Sequence, residues 1–189
     1  MNGYEIEPGA NLTRANLTNV RLDNADLTGA NLTSANLTEA YMFRANLTGA
    51  NLTEAYMFRA NLTGANLTDA NLTDANLTSA DLTSANLTSA FLCDANLSGA
   101  ILLESDLTDA NLTDANLTDA ILLRAFLSRT DLTWANLHGA NLTDAKLLRV
   151  KLSDTNLTGA NLARARLTLI FLGDTNLTGA TMPDGSIHD

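Results

Sequence analysis

The sequence contains little of several residue types that usually reveal a protein's class. One cysteine in 189 residues excludes an internal disulfide, and aromatic residues make up only 5% of the chain. Lysine and arginine number 11 against 21 aspartate and glutamate residues, which gives a formal net charge of -10. Because binding to nucleic-acid phosphates needs a basic surface, we expect no direct contact with DNA or RNA.

Long apolar runs are also absent. No stretch approaches the roughly 20 apolar residues that a membrane helix requires. The first residues, MNGYEIEPG, lack the basic region and apolar core of a secretory signal. We therefore expect a cytoplasmic protein that does not associate with a membrane.

A five-residue repeat fills most of the chain. Residues 10–184, 175 in all, divide into 35 consecutive pentapeptides without an insertion, and the third position is Leu in 32 of them and Met in the other three. The first position is Ala in 28, so apolar residues recur with alternating gaps of two and three. On an α-helix a five-residue step rotates the apolar positions by about 140°, so no helical face forms. A gap of two suits one face of a strand, and regular turning predicts a solenoid.

The unit Ala-Asn-Leu-Thr-Xaa, found at residues 15–19, 70–74 and 115–119, resembles the pentapeptide-repeat family. The resemblance implies an all-β fold, a right-handed quadrilateral β-helix of about 8.75 coils with four pentapeptides in each. The first and third positions would then face inward. The tail at residues 182–189, MPDGSIHD, is similar to the tails of cyanobacterial members. We expect an N-terminal lead-in at 1–9, the β-helix at 10–184 and a C-terminal tail at 185–189.

On a four-sided coil, residues twenty apart stack in columns. One column of fifth positions is acidic except for Trp134, and it contains Glu54, Asp74, Asp94, Asp114, Asp154 and Asp174. This ladder could attract a cation or a basic partner. Alternatively, aspartate is simply a favourable corner residue, because it tolerates turn geometry.

Outward apolar residues form a second candidate surface. Four of them fall on one side in adjacent coils and two lie around the next corner; they are Ile101, Leu103, Ile121, Leu123, Phe126 and Leu148. A contiguous apolar patch is typical of a self-association or partner site. Simple packing between neighbours on the sheet is the alternative interpretation.

Basic residues cluster late, since seven of the 11 lie between Arg124 and Arg166. Four of these are predicted to share one side: Arg129, Lys146, Arg149 and Arg166. A neighbouring corner column alternates in charge and contains Glu104, Arg124, Asp144, Arg164 and Asp184. We interpret the alternating column as structural, and the basic side either as a docking surface or as solvated charge.

No arrangement of catalytic residues is recognisable. His138 and His188 are far apart, and Cys93 has no histidine nearby to activate it. We therefore predict no catalytic, cofactor-binding or metal site. The sequence favours a non-enzymatic interaction scaffold that binds a protein partner and forms a homodimer or an end-to-end assembly through an exposed end coil or the apolar patch.

The alternative function is that of a DNA-mimicking inhibitor or protector of a DNA-binding enzyme such as DNA gyrase. The resemblance to the family implies it, because some members share the acidity and rod shape of duplex DNA. This chain departs from those members in having no Phe at the third position and in carrying the late basic cluster.

Overall fold

The computed structural model describes residues 4–189. From residue 10 onward the chain winds as a right-handed quadrilateral β-helix, which confirms the predicted fold. Parallel bridges join second-position residues twenty apart, as between Asn11 and Asn31 or Asn141 and Asn161. Four pentapeptides therefore complete one coil. We number the sides by their first units: side one begins at residue 10, side two at 15, side three at 20 and side four at 25.

Each pentapeptide repeats one hydrogen-bonding scheme. The N–H of Leu72 donates to the carbonyl of Phe91 in the next coil at 2.7 Å, and the N–H of Ala75 closes a turn on the carbonyl of Leu72 at 3.0 Å. The fifth-position residue between them, Asp74, has a φ of 59°. A positive φ at the third residue of a four-residue turn is the type II arrangement. The turn forms one corner of the coil and directs the next apolar pair inward.

The core is aliphatic and continuous. Leucine or methionine at the third position and alanine at the first are almost entirely buried from Leu12 to Ala165. The small first-position side chains let neighbouring coils approach to hydrogen-bonding distance. A few first positions are polar instead, and Thr130 satisfies its buried hydroxyl by donating to the carbonyl of Leu107 at 2.8 Å. The interior thus accepts a hydroxyl where a carbonyl is within reach.

Side four forms two three-residue strands near the C-terminal end. They are β1, Lys146–Leu148, and β2, Arg166–Thr168, and they pair in parallel with Lys146 opposite Arg166. Within the described residues 4–189, neither Val150 nor Ile170 makes the turn hydrogen bond that ends other units. The corner residues Arg149 and Leu169 nevertheless keep the positive φ of the other corners, 56° and 54°.

The regular ladder is interrupted at residues 170–174. Among the described residues, no bridge joins Lys151 to Phe171, although their spacing would place them in register. The first position on side one is Ala from residue 10 through residue 110, but it is Val150 and then Ile170 in the last coils. Thr130 and Val150 are buried in this column and the bridge between Asp131 and Lys151 is intact, whereas Ile170, the largest first-position residue of the chain, begins the interrupted unit. Phe171, at the outward second position of that unit, is 74% exposed.

The tail covers part of the C-terminal end. Gly185 has a φ of +89°, a conformation that glycine adopts without steric cost, and there the chain turns back on itself. Ile187 then pairs antiparallel with Thr181, and the N–H of His188 donates to the carbonyl of Ala180 at 2.8 Å. The tail therefore lies over the edge of side three.

Candidate interaction surfaces

The acidic corner consists of the fifth positions of side one. Glu54, Asp74, Asp94 and Asp114 stack there in four successive coils, and all are exposed. Within residues 4–189 none of them forms an ion pair, although Ser34 donates a hydrogen bond to Glu54 at 2.9 Å. Carboxylates stacked at the coil spacing of about 5 Å repel one another modestly in water. The corner therefore presents negative charge that the described chain does not neutralise.

Beyond Asp114 the acidic column loses its continuity. Trp134 interrupts it and is 58% exposed, while Asp154 resumes the corner geometry with a φ of 55°. Asp174 is exposed but lies in the displaced unit and lacks the positive φ of the other corners. The six predicted acids are thus divided into a run of four and two separate carboxylates.

Cys93 lies next to this corner and is partly buried. Burial raises the pKa of its thiol, and the nearby charge of Asp94 raises it further. Both effects disfavour the thiolate, which is the nucleophilic form of cysteine. The site therefore favours an inert thiol.

The apolar patch is divided by a charged corner. On side three, Ile101 pairs with Ile121, which is 38% exposed, and the neighbouring leucines are half-buried. Phe126 and Leu148 lie on side four and are 37% and 36% exposed. The fifth positions of side three form the corner between these two groups and carry the alternating charges. The structure thus places two smaller apolar groups where the sequence suggested one surface.

The alternating column forms stacked ion pairs. Arg124 contacts Glu104 at 3.2 Å, and Arg164 makes a two-pronged contact with Asp144 at 2.8 Å. The hydrogen bonds from Arg164 hold the pKa of Asp144 below its usual value. Asp184, the last member, accepts hydrogen bonds from Ser186 instead. Exposed pairs of this kind contribute little stability individually, but they link adjacent coils.

A shallow groove of about 630 Å³ follows this corner onto side four. Its lining includes both ion pairs together with Phe126, Lys146 and Arg166. The ammonium of Lys146 lies 4.2 Å from the centre of the Phe126 ring. The phenyl ring has no net charge, so this cation–π contact does not neutralise Lys146. The groove therefore carries four basic and two acidic side chains.

Side four holds three of the five basic residues that form no ion pair within residues 4–189; the other two are Arg14 and Arg44. Of the four predicted basic residues, Arg129 is neutralised by Asp109, with Nε 2.6 Å from Oδ1. Lys146, Arg149 and Arg166 have no carboxylate partner among residues 4–189. The acidic corner separates sides one and two, whereas the groove follows the corner between sides three and four. Near the C-terminal end, positive charge on side four therefore lies across the rod from the acidic corner, whereas earlier coils of side four carry Asp26, Asp69 and Asp106.

The sequence predicted an exposed end coil but not which of its sides is open, and the structure leaves the C-terminal edge of side four unpaired within the described residues. Leu169 is 70% exposed there, next to the displaced Phe171. The available signal was the change from Ala to Val150 and Ile170 at the first position of side one. The isoleucine at that position marks the unit where the ladder is interrupted.

Metal-binding and catalytic geometry are not found in the described part of the chain. No group of three or more His, Cys, Asp or Glu side chains within residues 4–189 is arranged to hold a metal ion. His138 is engaged in a hydrogen bond of 2.8 Å with Thr158 on the next coil. Among these residues there is also no helix that is long and apolar enough to span a membrane.

Known proteins share this architecture. HetL, a pentapeptide-repeat protein involved in regulating heterocyst differentiation in the cyanobacterium Nostoc sp. strain PCC 7120, is 35% identical, with 94% of this chain and 87% of HetL covered and a TM-score of 0.59. Rfr23 from the cyanobacterium Cyanothece 51142 is 31% identical over 68% of this chain and 91% of its own, with a TM-score of 0.23. No curated protein sequence matches the chain significantly.

The model of the family described as pentapeptide repeats matches eight copies along the chain. The matches cover residues 10–49, 35–74, 75–114, 110–147 and 155–184. They include nearly the whole coiled region. The repeat, the twenty-residue coil and these matches together establish that the chain belongs to the pentapeptide-repeat family.

Proposed function

We propose that this protein is a non-enzymatic interaction scaffold whose rigid rod binds a protein partner through segregated surface charge. The observation that carries the proposal is the separation of the acidic corner from the three unpaired cations on side four. Charge complementarity of this kind directs partner choice and orientation. The resemblance over most of both chains to HetL, which is involved in the regulation of heterocyst differentiation, supports a regulatory role.

Two features favour binding over catalysis. The described surface offers a shallow groove rather than an enclosed cleft, and perturbed acid–base groups normally need such a cleft. Function in a solenoid of this kind resides in its outward positions, because the inward ones serve the core. The flat sides of the rod therefore provide a template on which a partner can be recognised without conformational change.

Self-association belongs to the same proposal. The exposed side chains around Leu169 and Phe171 at the C-terminal end, and the two apolar groups near Ile121 and Phe126, are candidate contacts between copies. Light scattering over a range of concentrations tests this. We expect a mass above the 20.0 kDa of one chain at high concentration, and a constant monomer mass would contradict it.

The DNA-mimic alternative has less support. Its favourable feature is the run of four carboxylates on the acidic corner. However, Lys146, Arg149 and Arg166 interrupt the negative surface that such mimicry requires. The run of four carboxylates follows one corner, and other unpaired carboxylates such as Asp69 and Asp119 are scattered over different corners. A supercoiling assay with DNA gyrase distinguishes the two functions, since we expect no inhibition and no protection at micromolar concentration.

Affinity capture from cells that express the protein tests the scaffold proposal. We expect the wild type to retain a defined partner, and a variant with Lys146→Glu and Arg149→Glu to lose it if the basic side is used. A matched variant with Asp74→Asn and Asp94→Asn reports on the acidic corner. Retention of the same partner by both variants, or turnover of substrates in a broad hydrolase and transferase screen, would contradict the proposal.

A further inference from the structure

The outer edge of β2 has unpaired backbone groups. In the preceding coils of side four, the N–H groups of Leu127 and Arg129 donate to the next coil at 2.9 and 2.8 Å. The corresponding N–H groups of Leu167 and Leu169 point away from β1, and within residues 4–189 they have no hydrogen-bond partner. The carbonyl of Ala165 likewise lacks the partner that Ala125 has in Lys146. These groups could therefore pair with a further strand, and no strand among the described residues occupies this edge.

The turn at Gly185 explains why this edge is open. Residues 185–189 follow 165–169 by twenty positions, so a continuing coil would place them on side four. Instead the tail reverses and pairs with Thr181 on side three. The hydrogen bond from the N–H of Gly179 to the carbonyl of His188, at 2.7 Å, holds it there. The fold therefore covers one part of its end and leaves β2 uncovered.

The side chains at this edge define what an added strand would need. Five of the six ion pairs among residues 4–189 join residues twenty apart, so opposite charges in one column pair across adjoining coils. Arg166 has the cation Lys146 on one side and a vacant position on the other. Leu167 is only partly covered, and Leu169 is 70% exposed. An acidic residue above Arg166 followed by an apolar one above Leu167 would satisfy both requirements.

We infer that the free edge of β2 receives an extended segment of a partner protein as an added parallel strand, with an acidic residue over Arg166 and the next, apolar residue over Leu167. The inference rests on the proposed scaffold function and identifies where the partner binds. A parallel orientation follows from the pairing of β1 with β2. Strand addition of this type obtains affinity from main-chain hydrogen bonds and specificity from alternate side chains.

The expected hydrogen bonds can be specified from the coil pattern. The N–H of Leu167 donates to the carbonyl of the segment's acidic residue, and the N–H of that residue donates to the carbonyl of Ala165. The N–H of Leu169 donates to the carbonyl two residues further along. The carboxylate lies above the Arg166 guanidinium, where a charge-assisted hydrogen bond forms.

A synthetic peptide containing Ala-Asp-Leu-Thr-Leu, titrated into the full-length protein and followed by NMR, tests this arrangement. We expect the amide signals of Leu167 and Leu169 to shift and their hydrogen exchange to slow. Arg166→Glu should weaken binding about tenfold, because it replaces an attractive charge contact by a repulsive one. Arg14→Glu makes the same change in net charge in the first coil, far from the edge, and should weaken binding less than about twofold.

A second peptide with an N-methyl group on its aspartate keeps the charge but cannot donate to Ala165. We expect it to lose binding; equal binding of the two peptides would overturn strand addition. Equal losses for Arg166→Glu and Arg14→Glu, or shifts confined to the groove near Phe126, would overturn it too. If the peptide fails to bind while affinity capture succeeds, the edge assignment is wrong and the scaffold function stands.

Discussion

Residues 70–114 and residues 165–175 are built on the same pentapeptide but differ in regularity. In the first region every third-position leucine is fully buried, and each turn is closed by a hydrogen bond. In the second region Leu172 is only half-buried, and Ile170 makes no turn hydrogen bond within the described chain. The third position is leucine in both regions, and we attribute the difference to Ile170, the largest first-position residue of the chain.

The largest expected effect is a difference in stability between leucine-to-alanine variants in the two regions, because their leucines differ in burial. Leu92→Ala should lower the free energy of unfolding by about 2–5 kcal/mol, because it leaves a cavity between packed coils. Leu172→Ala removes the same atoms from a half-buried site and should cost less than about 1 kcal/mol. Urea unfolding followed by circular dichroism measures both. Equal losses would show that the end unit is packed as tightly as the centre.

A large first-position residue like Ile170 can be introduced into the regular region by mutation. Ala90 lies in the same column as Ile170 and is fully buried. Ala90→Ile should therefore destabilise the protein by about 1–3 kcal/mol through overpacking, and should increase hydrogen exchange at Phe91 and Leu92. Ala90→Ser, with a side chain close in size to the original, is the control. An isoleucine variant as stable as wild type would refute the explanation by side-chain size.

The converse change should repair the end unit. Ile170→Ala removes the branched side chain above Val150, so we expect Phe171 to pair with Lys151 and to become less exposed. Two or three new backbone hydrogen bonds would contribute about 1 kcal/mol each at most. Slower amide exchange at Phe171 and Leu172 is the direct measurement. Unchanged exchange would mean that the unit is displaced for another reason.

The smallest effect concerns the charge columns. Hydrogen bonds from Arg129 hold the pKa of Asp109 below its ordinary value of 3.8. A depressed native pKa stabilises the fold above the unfolded pKa, and this stabilisation is lost as the pH falls through the native pKa. Arg129→Leu should raise the pKa of Asp109 toward 3.8 and flatten the loss of stability in acid. NMR titration of the carboxyl carbon measures it, with Arg149→Leu as the unpaired control.

The candidate surfaces followed from the sequence to different extents. A strict twenty-residue period places every outward side chain in a known column, so the acidic corner and the alternating charges were predictable. Which charged residues form ion pairs was less predictable. Arg129 is neutralised by Asp109, whereas Arg149 has no carboxylate partner among the described residues. The second-position asparagines also bond mainly to a neighbour two residues on, as Asn76 does with Thr78, rather than only along their columns. Such choices depend on side-chain rotamers, which periodicity does not specify.

The sequence by itself determined the β-helix, its four sides and its aliphatic interior, because thirty-five units in phase leave one way to bury all the leucines. Only the tertiary structure decided how the rod ends. The displacement of Phe171 depends on packing between Val150 and Ile170, which are twenty residues apart. The reversal at Gly185 depends on whether residues 185–189 pair with Thr181 on side three or continue along β2 on side four, and they pair with Thr181. Contacts distant in sequence settle both, and a local repeat carries no information about them.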